Sequence, residues 1–338
     1  MTLPGRAHLI HVDDDLPGIT RVRDGDDWRY IDAEGHAIDD PDETTRLNAV
    51  ALPPAYTDAW YSPSPDGHIL ATGYDDKGRK QYRYHPGFRA HQEAKKFEGV
   101  PLFGRTLPLI RTRVERDLAA TDTGHDRAVA AIVRLLDEGH IRIGNDTYAK
   151  ANKSYGASTL TMDHTEQDGS LLTFRYLGKS SKEQEVEVDD PQLARFVEDM
   201  SDLPGQRLFQ WCEEGGTPHA VHSHDVNEYL RTTSGEAFTA KSFRTWAASV
   251  VAFTVLATGK GDLSIKTIAE AASDDLGNTP TIARNSYIHP AVVALAATDE
   301  RAWREGLKLP RRAKWLSRYE RGLIQFVESD EAERLMAE

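Results

Sequence analysis

The chain has one cysteine, Cys212, in 338 residues, which excludes an intramolecular disulfide and suits a reducing compartment. Cys212 stands beside Trp211 and reads as a packed residue rather than a nucleophile. No apolar run approaches the roughly 20 residues that a membrane span needs, and Met1–Val12 has no long apolar core before Asp13-Asp14-Asp15. Neither a membrane segment nor a secretory signal is therefore expected. The nucleotide-binding signatures are missing too. Thr258-Gly259-Lys260-Gly261 and Gly178-Lys179-Ser180 lack the glycine five residues ahead of the Gly-Lys pair, and there is no dinucleotide fingerprint. His219, His222, His224 and Asp225 fall within seven residues but have no cysteine partner. Ser223 or Asp225 there suits the cap of a following helix, so no metal and no cofactor are expected.

Positive charge is scarce overall: the formal net charge is −13. That would argue against a nucleic-acid partner, which needs its phosphates neutralised, but the charge is unevenly spread. Residues 1–50 carry 5 Lys/Arg against 12 Asp/Glu. Residues 77–96 carry 7 against 1, and residues 301–321 carry 8 against 2. Two basic stretches therefore interrupt an acidic chain.

A hydrophobic content of 39% with 28% charged residues fits a globular protein, and the length suggests two domains. The first 45 residues read as short strands and turns, and Pro53–Trp60 as a loop. His68–Tyr74 suits a strand, closed by the turn Asp75-Asp76-Lys77-Gly78, after which Arg79–His85 interleaves basic and aromatic residues. From about residue 91 the pattern turns helical, as in Arg127–Gly139. Three strands are expected at Gly156–His164, Leu171–Leu177 and Gln184–Val188, with turns at Asp168-Gly169 and Gly178-Lys179-Ser180. Helical spacing resumes in Pro191–Met200, Asp225–Arg231, Thr239–Leu256 and Ala291–Leu307. The expected fold class is α+β: a β-rich N-terminal domain over residues 1–90 and a mainly helical domain over 91–338 with a three-stranded β island.

Among the polar residues one set has a shared chemical logic. Arg142 follows the helix ending near Gly139, and Lys179 sits on a turn 37 residues later. Lys241 and Arg244 are three apart, on one face of a helix. Asn278 lies in Gly277-Asn278-Thr279-Pro280, nine residues before Tyr287. Breaking a phosphodiester without a metal needs a nucleophile, a proton donor for the departing oxygen, and fixed positive charge around the phosphorus. A tyrosine ester conserves the bond energy, so resealing needs no ATP. Arginine's planar fork matches two phosphate oxygens, and a lysine on a turn gives up its proton more readily than an arginine. Each residue taken alone has an ordinary structural explanation.

The set and its surroundings resemble the type IB DNA topoisomerases, specifically the small poxvirus-like and bacterial branch. The matching text is GYDDKGRKQYRYH, IRIGNDTYAKANKSYGASTL, YLGK, TAKSFRTW and GNTPTIARNSYIHP, in family order from about Ala51 to Pro290. The resemblance implies that Tyr287 is the nucleophile of a 3′-phosphotyrosyl intermediate, with Arg142 and Arg244 clamping the phosphate. Lys179 would be the general acid for the 5′ oxygen; Lys182 competes, but only Lys179 follows the strand-Gly pattern. Lys241 would assist proton transfer or position the phosphate. Asn278 stands where many members have histidine; it can donate a hydrogen bond but cannot become cationic. By the same resemblance Arg79, Lys80, Gln81, Tyr82 and Tyr84 would face DNA, and a monomer would clamp duplex DNA between its domains in a cytoplasmic, nucleoid-associated setting. Two alternatives share parts of this pattern. A tyrosine recombinase carries His-x-x-Arg where this chain has Lys241-Ser242-Phe243-Arg244, and its N-terminal part is usually helical. A DNA-binding relative without activity would lack some of the matched residues.

Overall fold

The computed structural model describes residues 9–25, 27–201, 207–213, 216–298 and 300–337; residues 1–8, part of the stretch read as lacking a secretory signal, lie outside them. The chain divides into two compact units, Met1–Lys96 and Phe97–Glu338.

In the first unit the strands are β1 (Ile19–Asp24), β2 (Asp27–Ile31), β3 (Thr57–Tyr61), β4 (Ile69–Tyr74) and β5 (Lys80–Tyr84), with helix α1 (Pro41–Ala49) between β2 and β3. They form an antiparallel sheet in the order β2-β1-β3-β4-β5, so β5 is an edge strand. Ile19, Tyr30, Leu47, Tyr61 and Ala71 make its core. Helix α1 starts where Asp40 accepts the Asp42 N–H and Pro41 supplies a fixed φ. The expected loop at Pro53–Trp60 is corrected at its second half, which is strand β3. Asp58 there takes a positive φ of 47° and the register with β4 shifts between Thr57 and Trp60. A bulge of this kind breaks the alternation by which a strand is read from sequence.

Helix α2 (Pro86–Leu118) leads into the second unit; it begins a few residues before the expected onset, with proline at its first position. Then follow α3 (His125–Gly139), α4 (Asp146–Asn152), β6 (Thr165–Asp168), β7 (Leu171–Leu177), β8 (Glu183–Asp189) and α5 (Pro191–Ser201). The short pair β9 (Gln210–Trp211) and β10 (His219–Ala220) precedes α6 (Ser223–Ser234), α7 (Ala240–Thr258), α8 (Ile265–Leu276) and α9 (Pro280–Ser286). Last come α10 (Pro290–Leu295), α11 (Glu300–Gly306), α12 (Arg318–Val327) and α13 (Asp330–Ala337). A β-rich first unit followed by a mainly helical one with a three-stranded antiparallel sheet, β6-β7-β8, is the expected α+β class.

Two expected elements differ. Gly156–His164 is not a strand but two short 3-10 turns, Ala157–Thr159 and Met162–His164. The Thr159 hydroxyl oxygen accepts the Gly156 N–H at 2.9 Å, and the His164 ring accepts the Thr161 N–H at 3.1 Å. These local bonds compete with a ladder, and the first strand forms only at Thr165. The single helix expected over Ala291–Leu307 is two, α10 and α11; Thr298 turns its hydroxyl back onto the Leu295 carbonyl at 2.8 Å, in the bend between them.

Helices α3 and α7 form the centre of this unit. Val129, Ile132, Leu135 and Leu136 of α3, and Phe243, Ala248, Phe253 and Leu256 of α7, are fully enclosed. Each large side chain of this kind stabilises the fold by about 1.5–3 kcal/mol. A polar network fixes α7 against its neighbours. Arg111 of α2 pairs with Asp137 at 2.7 Å and Glu320 at 2.8 Å, and the Trp246 indole donates to Glu320 at 3.2 Å. No described helix is long and apolar enough to cross a membrane.

Candidate active site

Arg244 is the organising residue. Five positions into α7, it faces the core and is 3% exposed. A buried guanidinium costs several kcal/mol unless its donors are met. Two backbone carbonyls meet two of them, while Nε is buried without a hydrogen-bond partner among the described residues: one N–H group donates to His140 just past α3, the other to Leu276 at the end of α8, at 2.9 Å. Both carbonyls lie at helix C-termini, where the aligned peptide dipoles favour a cation. Burial, and then the Arg142 charge, lower the Arg244 pKa from its ordinary value. Beside Arg244 is Tyr287, with the guanidinium carbon 5.2 Å from the centre of the phenol ring.

Tyr287 caps the C-terminal end of α9 and is half-buried. Its backbone is held from α7: the Ser249 hydroxyl donates to the Tyr287 carbonyl at 3.2 Å and accepts the His289 N–H at 2.9 Å. His289 is itself buried and caps α10; burial pushes its pKa down to about 4 against a hydrogen bond with the Phe97 backbone, so it is neutral at pH 7. Burial by itself would raise the Tyr287 phenol. The Arg244 charge and hydrogen bond, with the charges of Arg142 and Lys241, outweigh burial and hold it below the ordinary value of 10.

Arg142 lies in the irregular segment between α3 and α4, which is pinned by the turn at residues 156–158. Its carbonyl accepts the Ala157 N–H at 2.8 Å, and the Ile143 carbonyl accepts from the Ser158 N–H and hydroxyl at 2.7 and 2.8 Å. A Cβ on Gly156 would come within 2.4 Å of the Arg142 carbonyl oxygen, so only glycine permits this approach. Lys241 is exposed in the first turn of α7, one helical turn before Arg244. Asn278 follows the left-handed Gly277 that ends α8. Both polar atoms of its side-chain amide are buried without a hydrogen-bond partner among the described residues. Such unmade bonds are rare in a folded protein and mark a position awaiting a polar ligand or storing strain. Lys179 is exposed on the β7–β8 turn, where Ser180 and Ser181 take positive φ.

The structure thus brings Arg142, Lys241 and Arg244 to bear on Tyr287. Arg142 and Arg244 also border a cleft of about 220 Å³, with Tyr176, Gln184, Asp275 and Gly277 among others; Tyr287, Lys241, Lys179 and Asn278 do not line it, and Lys179 sits on the turn of the hairpin whose strands do. The sequence reading did not single out Tyr176. Its phenol is pushed up to about 12 by burial, against the pull of Arg244 and Arg142. The alternation Leu172, Phe174, Tyr176 in β7 puts it on the inward face, a signal that was available. Two phenols therefore share the same arginines, and only Tyr287 is shifted toward the phenolate.

The residues expected to face DNA are in the first unit. Lys80, Tyr82 and Tyr84 alternate along β5, and the rings of Tyr82 and Tyr84 stack at 5.8 Å. Lys80 pairs with Asp14 at 2.8 Å and Asp15 at 3.5 Å. Asp75 accepts from Arg79 at 2.8 Å and from Gln81 at 3.0 Å. At the histidine cluster, His222 begins α6 and its N–H donates to Asp225 at 2.8 Å. No group of three His, Cys, Asp or Glu side chains able to hold a metal gathers among the described residues.

Comparison with known proteins gives the family. The family model for the eukaryotic DNA topoisomerase I catalytic core matches residues 85–279, and the model for the bacterial DNA topoisomerase IB N-terminal domain matches residues 27–75. The first match covers more than half the chain, spans Arg142, Lys179, Lys241, Arg244 and Asn278, and stops eight residues short of Tyr287. The chain is 29% identical over 287 residues to a DNA topoisomerase 1B of Acanthamoeba polyphaga mimivirus, covering 81% of this chain and 85% of the viral protein. It is 26% identical over 193 residues to a DNA topoisomerase 1 of Mycosarcoma maydis, covering 50% of this chain but only 19% of that protein. A phenol drawn toward its anion by arginines, in a chain whose two units each match a topoisomerase domain model, places this protein in the type IB DNA topoisomerase family.

Proposed function

We propose that the chain relaxes supercoiled duplex DNA by cutting one strand through a 3′-phosphotyrosyl intermediate, letting the free end rotate, and resealing the strand without ATP or metal. The observation that carries this reading is the depressed pKa of the half-buried Tyr287 phenol beside Arg244, Arg142 and Lys241. The phenolic oxygen attacks the scissile phosphorus while Arg142 and Arg244 neutralise the charge that grows on the two nonbridging oxygens. The bond to the 5′ oxygen breaks, and Lys179 gives that oxygen a proton. The phenol's own proton leaves to solvent, or through Lys241 at the edge of the site. Asn278 donates to a nonbridging oxygen, which satisfies an amide that has no partner among the described residues. Resealing is the reverse: the 5′ hydroxyl attacks phosphorus and the phenol departs.

Duplex DNA is then the partner. Lys80, Arg79 and Gln81 would meet its backbone, and Tyr82 and Tyr84 its sugars or base edges. A monomer clamped on DNA in a cytoplasmic, nucleoid-associated setting fits this reading. The test is a denaturant trap of the protein on plasmid DNA in EDTA without nucleotide. We expect a covalent adduct mapping to Tyr287, relaxation by monomeric protein, and loss of both in Tyr287→Phe with noncovalent binding nearly unchanged. An adduct on another residue, or full relaxation by Tyr287→Phe, removes Tyr287 from the nucleophile's place.

A further inference from the structure

The inward-facing positions of β8 are Gln184, Val186 and Val188, alternating with exposed Glu183, Glu185 and Glu187. An inward series is ordinarily apolar, and Val186 and Val188 obey that rule. Gln184, opposite Tyr176 in the β7–β8 ladder, does not. Its side chain is held between two turns. A Cβ on Gly178 would stand 2.8 Å from the Gln184 Cγ, so the aliphatic stem lies directly over Gly178. A Cβ on Gly277 would stand 2.1 Å from the Gln184 Oε1, so the amide lies directly over Gly277. The amide nitrogen is tied down by donating to the Glu183 carbonyl at 2.8 Å.

The two glycines precede the two residues with the most to gain from being held. Gly178 is followed by Lys179, and Gly277 by Asn278 with its unpartnered amide. Within the Lys179 turn two backbone bonds are made, the Gly178 N–H donating to the Lys182 carbonyl at 2.8 Å and the Ser181 N–H to the Gly178 carbonyl at 3.1 Å, but the side chains of Lys179, Ser180 and Ser181 are exposed. The cleft of Arg142 and Arg244 opens beside Gln184, which lines it.

We infer that Gln184 is a positioning residue for the general acid: it braces the Lys179 turn against the Gly277-Asn278 turn, so that lysine and amide meet the scissile phosphate in fixed relation. The inference rests on the reading of Lys179 as the proton donor to the 5′ oxygen. It gives a kinetic signature that general loss of structure does not. A misplaced proton donor slows departure of an alkoxide but not of a leaving group that needs no proton.

The experiment measures single-turnover cleavage of two duplexes by the full chain, one with the normal 5′ oxygen and one with a 5′-bridging phosphorothiolate, whose thiolate leaves unprotonated. Gln184→Ala is expected to slow the oxygen substrate about tenfold and the sulfur substrate less than about twofold. Gly178→Ala, whose φ of −86° any residue adopts, should show the same selective loss because its methyl must displace the glutamine. In the Gln184→Ala background, adding Gly178→Ala should cost nothing further, since the object of the collision is gone. Lys179→Ala runs alongside. If it is not rescued by sulfur, the general-acid reading fails, and with it the basis for any brace. If it is rescued while Gln184→Ala loses equally on both substrates, or on neither, the brace alone is overturned. Additive losses in the double variant overturn it as well.

Discussion

The two cationic regions of this molecule are built on opposite electrostatic plans. On β5, carboxylates of the same unit meet the cations: Arg79 has Asp75 at 2.7 Å, and Lys80 has Asp14 at 2.8 Å. In the cleft, the carbonyls of His140 and Leu276 hold Arg244. Asp275, which borders the same cleft, is paired with His140 at 2.8 Å. A carboxylate satisfies a guanidinium's donors and also cancels its charge. A carbonyl satisfies the donors and leaves the charge in place. The lesson is that an anchor's charge, not its geometry, decides whether a buried cation can act on something else. Arg244 keeps a positive field to spend on Tyr287, whereas the β5 pairs have to be exchanged before they can hold a phosphate.

The largest effect that tests this contrast is expected at Arg244. Arg244→Ala removes a fixed positive charge set beside the developing charge, and losses for one such electrostatic group run about 10²–10³-fold, or about 2.7–4 kcal/mol of barrier. Arg244→Lys should recover little, because one ammonium cannot reach both carbonyls and still face the phenol. Recovery to near-native cleavage rates by lysine would mean that the paired carbonyls do not matter. Arg142→Gln comes next. It removes one of the charges that lower Tyr287, so the phenol's pKa rises and less phenolate is present at any pH below it. The pH–rate profile for cleavage should move to higher pH, with a loss of about tenfold near pH 7.5 that shrinks toward pH 10. An unshifted profile would sink the claim that Arg142 tunes the phenol.

Much of the site was legible in sequence because its residues sit in short strings with fixed neighbours: Lys241-Ser242-Phe243-Arg244 on one helical turn, Gly277-Asn278 at a helix end, Gly178-Lys179 at a hairpin. What could not be read was non-local. Nothing in the text around Arg244 says that residues 140 and 276 will supply its acceptors, since both are backbone oxygens placed by the packing of α3 and α8. The pairing of Lys80 with Asp14 is likewise invisible, because 66 residues separate them. The fold's misread stretches have a common cause. At Asp58 a bulge broke the alternation that marks a strand, and at Thr159 and Thr298 hydroxyl-to-backbone bonds overrode a periodicity that was present in the side chains.

A smaller effect is expected at Asn278, the uncharged member of the set. Asn278→Ala deletes one uncharged donor and should slow cleavage about tenfold, less than either arginine. Asn278→His should restore a donor whose strength depends on protonation, adding a pH dependence between about 5 and 8 that the native enzyme lacks at this position. A flat profile in the histidine variant, equal to the native one, would show that residue 278 does not touch the phosphate.

The smallest effect tests the other half of the contrast. If the β5 cations must exchange a carboxylate for a phosphate, then Asp14→Asn with Asp15→Asn leaves Lys80 uncompensated before DNA arrives. Binding should tighten a few-fold at low salt, and the plot of log affinity against log salt should steepen by about 0.9, the increment for one more neutralised phosphate. Adding Lys80→Ala should return both quantities to below the native values. If the tightening survives that third change, the aspartates act through the net charge of the acidic N-terminal segment, and the one-to-one exchange at Lys80 is wrong. A few-fold change is expected of a pair at the rim of the sheet that is only partly covered, since surface pairs are worth about 1 kcal/mol or less. The same limit explains why such pairs can be surrendered on binding, while the carbonyl cradle of Arg244 has no reason to open.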